Sequence, residues 1–421
     1  LLPQQEIVMS LDLCASTRAW IARSLSRPEL LSFADWLDAE RYSSFVCDQH
    51  LRRMAFMLER LDPEGHRPVY SERRLQQAFA RECSPRSRRF RFEGTRRTYS
   101  RFLLSQGRLQ VEPESDRFAV LRRDYVQHLL EMRGFALSTR VHHAIESREF
   151  LTRGLPHRKL LCRVTRKDLE RYIQLRSHEL SRHSLAHVVG ILRGFMRYLY
   201  LAGHIAAPLD ALDVRKTYRG ELMPKSLPWP TVRRLLASID RRSKAGWRDL
   251  CILHLLAYYG LRPSEVAPLC LDSIDWDSGV LNVRQRKTRC DLQLPLAAPT
   301  LRLLRQYLTH YRNHQGTVHS ELFLRARCPS GPIERTAVQD IFQKRAREAG
   351  LSPSIHVYQL RHTFAMRLLS RGVGVKAIGD LMGHRSLEST CAYLRLDIQT
   401  LRGVALPVPA ARCRAEGVAH G

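Results

Sequence analysis

Apolar residues recur at helical spacing along most of this chain. Between residues 116 and 212 four stripes follow one another. They are Tyr125, Leu129 and Met132; then Ile145, Phe150 and Leu151; then Leu169, Tyr172, Ile173 and Leu175; and finally Leu185, Val188, Val189, Leu192, Phe195, Met196 and Leu199, stopped by Gly203. An apolar side chain every three or four residues marks one buried face of a helix. The stretch therefore predicts four helices with short links, a small bundle. Upstream, residues 36–109 predict a loop punctuated by Pro85 and Gly94 that runs into a helix from Thr95 to Gln106, closed by Gly107. Residues 1–35 are weakly patterned and predict one or two helices.

The second half reads differently. A helix is expected from Thr231 to Ile239. Leu250–Tyr259 is apolar on nearly every face, a buried central helix ended by Gly260. Pro263 suits the first position of a following helix and Glu265 its third, where a carboxylate meets the positive end of the dipole. Ile274-Asp-Trp, Val280-Leu-Asn-Val and Leu292-Gln-Leu alternate as strands, with a turn at Asp277-Ser-Gly279 and a basic hairpin tip at Arg284-Gln-Arg-Lys287-Thr-Arg. Helices follow at about 298–312, 335–349 and 356–371. In the last of these Leu360, Phe364 and Leu368 form the stripe, leaving Arg361 near its edge. Gly383 is a helix stop, and Ser386 an N-cap for a helix carrying Tyr393.

The fold class is mainly α with a small antiparallel sheet. The expected organisation is an N-terminal basic helical region (1–112), a helical unit (113–212), a basic proline-bearing linker (213–230), an α+β domain (231–406) and a flexible tail (407–421). A repeat links the first two. Arg97, Arg101, Leu103 and Gly107 recur at one offset as Arg193, Arg197, Leu199 and Gly203, with Tyr99 and Phe102 answering to Phe195 and Tyr198. Phe56 and Leu61 fall near Phe150 and Leu155. Residues 36–110 thus read as a diverged copy of the 116–212 bundle, against coincidence between two arginine-rich helices.

Composition narrows the partners. Of 421 residues 69 are basic and 41 acidic, a net charge of +28. Such an excess repels itself unless a polyanion neutralises it, and no apolar run approaches a membrane span. Nucleic acid is the expected partner, with arginine forks suited to phosphate. The ten cysteines are scattered, without a C-x-x-C pair or a secretory signal. That argues for a reducing cytoplasm, and against both a zinc module and a disulfide scaffold. No phosphate-binding glycine loop or carboxylate cluster suggests a cofactor or metal. The sequence opens on Leu1, so a start further upstream is expected.

Five polar residues in order carry the chemistry: Arg262 in Gly-Leu-Arg-Pro-Ser-Glu, Lys287 on the hairpin, Arg361 in Leu-Arg-His-Thr-Phe-Ala, His384 in Leu-Met-Gly-His, and Tyr393. In this order and setting they resemble the tyrosine recombinase (phage integrase) family over roughly residues 116–406, and the chain's end resembles integrases of transposons and other mobile elements. The resemblance implies a helical core-binding domain and a catalytic domain that close around the duplex as a C-shaped clamp. It implies Tyr393 as the nucleophile that becomes joined to a 3′-phosphate, and a tetramer on DNA or co-assembly with related recombinases. Chemistry suits the residue types. Two arginines clamp the non-bridging oxygens where charge grows, Lys287 protonates the departing 5′-oxygen, and His384 contacts the phosphate or orients Tyr393. The phosphotyrosine conserves bond energy, so neither ATP nor metal is required. Glu265 is expected to hold a clamp arginine.

One position departs. The family usually has a histidine three residues before the second arginine, where this chain has Tyr358, and a phenol is a poor base at neutral pH. His356 lies about 200° round a helix from Tyr358 and is a doubtful stand-in. Arg97, Arg101, Arg193, Arg197, Arg284, Arg286 and Arg289 are the expected DNA contacts. Two rival readings follow: a catalytically impaired DNA-binding partner of another recombinase, and a type IB topoisomerase-like enzyme.

Overall fold

In a computed structural model the chain is described at residues 13–61, 69–81, 86–110, 117–155, 159–212, 225–285, 290–312, 319–326, 331–384, 386 and 388–394, without the side chains of 86–91 and 290. It is mostly helical, with short strands, as the periodicity predicts. Two compact units emerge: residues 24–29 with 53–221, and residues 1–23 and 30–52 with 222–421.

Helices in the first half are α1 (Ala15–Arg23), α2 (Arg27–Ala39), α3 (Ser44–Leu61), α4 (Glu72–Arg81) and α5 (Arg86–Ser105). Two-residue strands β1 (Tyr70–Ser71) and β2 (Leu109–Gln110) pair in parallel. α5 is longer than the sequence suggests. It starts at Arg86, and Gly94 lies inside it instead of preceding it; one glycine in a helix is tolerated at a cost of about 1 kcal/mol.

The expected four-helix unit is α6 (Ala119–Glu131), α7 (Leu137–Glu149) with a π-turn to Gly154, α8 (Arg166–Glu179) and α9 (Arg182–Leu201). Tyr125, Leu129, Phe150, Leu151, Leu169, Tyr172 and the whole stripe from Val188 to Leu199 make one core. Met132, Ile145 and Leu175 were expected in that core and are exposed. Met132 sits past the end of α6, and Ile145 and Leu175 stand just off their stripes, where spacing alone does not separate a buried face from its border.

The second core gathers α10 (Trp229–Ala237), α11 (Lys244–Tyr258) and the short α12 (Pro263–Val266) with the sheet β3 (Ile274–Asp275), β4 (Val280–Gln285) and β5 (Cys290–Pro295). The sheet is antiparallel in the order β3-β4-β5, with Val280 opposite Pro295 and Gln285 opposite Cys290. The Asp275 carboxylate accepts from the amides of Asp277 and Ser278, and Gly279 takes φ +67°, which closes the first turn. α13 (Ala298–Tyr307), α14 (Arg335–Glu348), α15 (Tyr358–Leu369), α16 (Val375–Met382) and α17 (Glu388–Cys391) complete it. α11 is buried on most faces, as its uniform apolarity requires. A charged group fastens it. Asp249 is 1% exposed and accepts from the guanidinium of Arg248 through one oxygen and that of Arg345, on α14, through the other.

Candidate active site

The site begins where α11 stops. Gly260 takes φ +63°, and a Cβ there would lie 2.4 Å from the Phe364 ring of α15, so only glycine lets the two helices meet. The chain then turns through Leu261 into Arg262, which is extended (φ −82°, ψ 151°) at the N-cap of α12 with Pro263 behind it. Glu265, at the third helical position, accepts from the Arg262 amide (2.7 Å) and from its guanidinium (2.5 Å). This carboxylate is buried, and its second oxygen lies 3.9 Å from the guanidinium of Arg361.

Arg361 is buried (6% exposed) and not at a helix edge. It donates to the carbonyls of Gly260 and Met382, both at 2.5 Å, and so ties the ends of α11 and α16 to α15. Burial, and then the neighbouring Arg262, lower its pKa to about 10, so it stays charged at neutral pH. Two guanidinium groups share one carboxylate. The excess positive charge in a desolvated place is relieved by an anion.

α16 ends at Gly383 in the left-handed conformation (φ +61°), where the amide of His384 closes on the Gly379 carbonyl. That turn delivers His384 beside the arginines. Its Nδ1 lies 2.8 Å from the Thr390 hydroxyl. Burial first, and then Arg361, Arg262 and His362, lower its pKa to about 4, leaving a neutral ring. Thr390 in turn lies against Gly379, whose missing Cβ would come within 3.0 Å of its hydroxyl.

Tyr393 follows α17 in a turn instead of lying on the helix, its amide bonded to the Thr390 carbonyl. Its ring packs with Ala365, Ile378 and Met382. Its hydroxyl lies 2.9 Å from Nδ1 of His362. Burial pushes the phenol pKa up, while Arg361 and then Arg262 draw it down. His362 is held below the ordinary imidazole value by burial and then by Arg361.

Arg262, Glu265, Arg361, His384 and Tyr393 are therefore one electrostatic cluster. Lys287, Arg286 and Arg289 lie outside the described residues. Arg284 is exposed on β4, 4.0 Å from Asp291. Tyr358 opens α15, is 38% exposed, and is close enough to act on the charge of Arg361. Arg97, Arg101, Arg193 and Arg197 are exposed on α5 and α9, in the other unit. The residue that sequence reasoning passed over is His362. It stands inside the quoted Leu-Arg-His-Thr-Phe-Ala motif, but only folding brings Tyr393, 31 residues on, to its ring.

Residues 225–400 match the phage integrase family. A Sinorhizobium fredii protein named as an integrase/recombinase (y4rA) is 30% identical over 316 residues, which are 73% of this chain and 76% of that protein. The chain belongs to the phage integrase family of tyrosine recombinases. Another relative is the tyrosine recombinase XerC of Alcanivorax borkumensis, 33% identical over 52% of this chain and 71% of that one. In fold, this family member is similar to the XerH site-specific recombinase bound to a palindromic difH substrate, with TM-score 0.53 and 16% identity over 72% of this chain and 92% of that one. It is likewise similar to the Tn1549 transposon integrase in complex with a circular-intermediate DNA, with TM-score 0.53 and 15% identity over 66% of this chain and 99% of that one. Among the described residues no helix is long and apolar enough to cross a membrane, and no group of three or more His, Cys, Asp or Glu is placed to hold a metal ion.

Proposed function

We propose that this chain is a site-specific DNA recombinase that cleaves and rejoins duplex DNA through a 3′-phosphotyrosyl bond on Tyr393, without metal or ATP. The observation that carries the reading is the pair of the half-buried Arg262 and the buried Arg361, which face the one carboxylate of Glu265 and lie within electrostatic reach of the Tyr393 phenol. Family membership supports it.

The scissile phosphate sits between the two guanidinium groups, whose paired donors meet its non-bridging oxygens as charge grows on them. Glu265 keeps Arg262 in place. His384, neutral and oriented by Thr390, donates a hydrogen bond to the same phosphate. His362 takes the phenol proton of Tyr393 through Nδ1 as the oxygen–phosphorus bond forms. The bond to the 5′-oxygen breaks, and Lys287 supplies that oxygen with its proton. In the return step a 5′-hydroxyl gives its proton back to Lys287 as it attacks phosphorus, and the departing phenolate recovers its proton from His362. Tyr393 is 4% exposed, so attack on the phosphate requires it to loosen its packing against Ala365, Ile378 and Met382. Exchange between two duplexes cuts four strands and takes four copies of the chain.

A duplex nicked near the crossover point tests the reading, because the short product diffuses away and leaves the enzyme trapped. The chain is expected to form a covalent adduct that Tyr393→Phe abolishes while duplex binding persists. Binding with no adduct indicates a DNA-binding partner of another recombinase. An adduct without exchange of two marked sites indicates topoisomerase-like chemistry.

A further inference from the structure

We infer that α5 carries a second docking face for the DNA backbone, repeating one on α9, so that the chain grips duplex at two places apart from its catalytic cluster. The inference rests on the DNA reading above.

The elements before residue 110 repeat those after it. α2 and α6 are each 13 residues long, and each is followed by a residue in the left-handed region, Arg41 (φ +59°) and Gly134 (φ +57°). The next ring meets a histidine in both: Tyr42 with His50 at 5.8 Å, Phe135 with His143 at 5.6 Å. The 18 residues of α3 answer to the 13 of α7 and the five of its π-turn. α4 and α8 both start at a hydroxyl residue, Ser71 accepting from the Arg74 amide and Thr165 donating its hydroxyl and its amide to the Asp168 carboxylate. α5 and α9 each run 20 residues and end at Gly107 and Gly203, with the same closing bonds of 2.8 Å, Arg108 to Leu103 and His204 to Leu199. Arginine-rich composition alone produces no such succession of lengths and caps.

The two long helices also expose the same face. On α5 the outward positions are Gly94, Arg97, Arg101 and Leu104; on α9, at the same spacing, Gly190, Arg193, Arg197 and Tyr200. A glycine inside a helix weakens it, so each calls for a reason. Gly194 has an internal one: a Cβ there would lie 3.4 Å from the Tyr125 hydroxyl. At Gly94 and Gly190 a Cβ would meet nothing within 4 Å. No described residue requires these two glycines, and a close neighbour from outside the chain would. Arginines three and seven residues further on give it a negative charge. A sugar–phosphate backbone fits both requirements. Arg97 pairs with Glu93, Arg197 with Asp210, and Arg193 donates to the Leu212 carbonyl. Exposed ion pairs of this kind bind weakly enough for phosphate to displace them.

The test uses the full chain and a random-sequence duplex of about 40 base pairs, long enough for several phosphate contacts, with affinity measured against salt. Arg97→Gln with Arg101→Gln is expected to lower the salt slope by about two. Gly94→Leu is expected to weaken binding while the melting temperature holds or rises, which a merely structural glycine does not allow. Gly190→Leu serves as the matching change on α9. If the wild-type chain binds no duplex, the proposed function falls and this inference with it. If it binds, and the α5 variants keep its affinity and slope while Gly190→Leu does not, the second face alone is overturned. A Gly94→Leu chain that melts lower also overturns it.

Discussion

The Tyr393 hydroxyl and the Nδ1 of His362 stand 2.9 Å apart, on rings tilted 55° to each other, and His384 is engaged elsewhere with Thr390. Tyr393, the proposed nucleophile, is thus paired with a histidine next to Arg361, in a chain that has Tyr358 where the family resemblance leads one to expect a histidine. Tyr358 and His362 are four residues apart on α15, about one turn, and so lie on the same side of that helix.

His362→Ala should therefore slow single-turnover cleavage by about 10²- to 10⁴-fold. The pH profile separates a proton acceptor from a packing residue. His362 titrates below the ordinary value of 6.5. Above its pKa the ring is neutral and accepts the phenol proton; as pH falls through that pKa it charges and cleavage falls. The variant should lose this acid limb. A variant with the wild-type rate and limb would show that the contact is only structural.

In the proposed mechanism Arg262 acts through the geometry of its fork. Lysine keeps the charge but offers no planar pair of donors. Arg262→Lys should lower the cleavage rate about 10²- to 10³-fold and leave duplex affinity nearly unchanged. An equal loss in both would assign Arg262 to binding alone. Arg361→Lys is a poorer probe, since it also strips donors from the buried carbonyls of Gly260 and Met382.

Stability depends on a different group. Asp249 neutralises Arg248 and Arg345 between α11 and α14, and its side chain is almost wholly buried. Asp249→Asn leaves two guanidinium groups short of an anion and should cost about 3–5 kcal/mol, read as a lower midpoint in denaturant. A loss under about 1 kcal/mol would mean that Glu348, already bonded to Arg345, carries the pair by itself.

The sequence made part of this legible. Gly260, Pro263 and Glu265 announce a helix stop and a helix start because each residue type has one dominant local use, and the geometry follows them. The stripe ending in Leu199 and Gly203 is readable for the same reason. Burial of Arg361 was not, because an arginine in an amphipathic helix defaults to the surface; only the carbonyls of Gly260 and Met382, far along the chain, make its burial tolerable. The role of His362 is hidden likewise, since it depends on where Tyr393 returns. Gly94 looks like a break in sequence and stands inside α5, because the packed aromatic and aliphatic face overrides a single weak residue.

Gly383 joins the second arginine to the hairpin. Its left-handed turn sets the Met382 carbonyl, which accepts from Arg361 at 2.5 Å and from the Gln285 side-chain amide, on β4, at 3.5 Å. A Cβ on Gly383 would stand 2.2 Å from the amide group of Gln285, which is itself buried. Gly383→Ala therefore combines a left-handed alanine, costing roughly 1–2 kcal/mol, with a clash that moves Gln285 or the carbonyl. Melting temperature and cleavage rate should both fall. Gln285→Ala alone removes a weak 3.5 Å contact to that carbonyl and opens space beside the turn. Combined with Gly383→Ala it removes the clash, so the double variant should recover part of both losses, a coupling of about 0.5–3 kcal/mol of favourable sign. Strict additivity would mean that the backbone angle alone makes glycine necessary. A Gly383→Ala chain that cleaves at the wild-type rate would show that Arg361 is placed without the help of this turn.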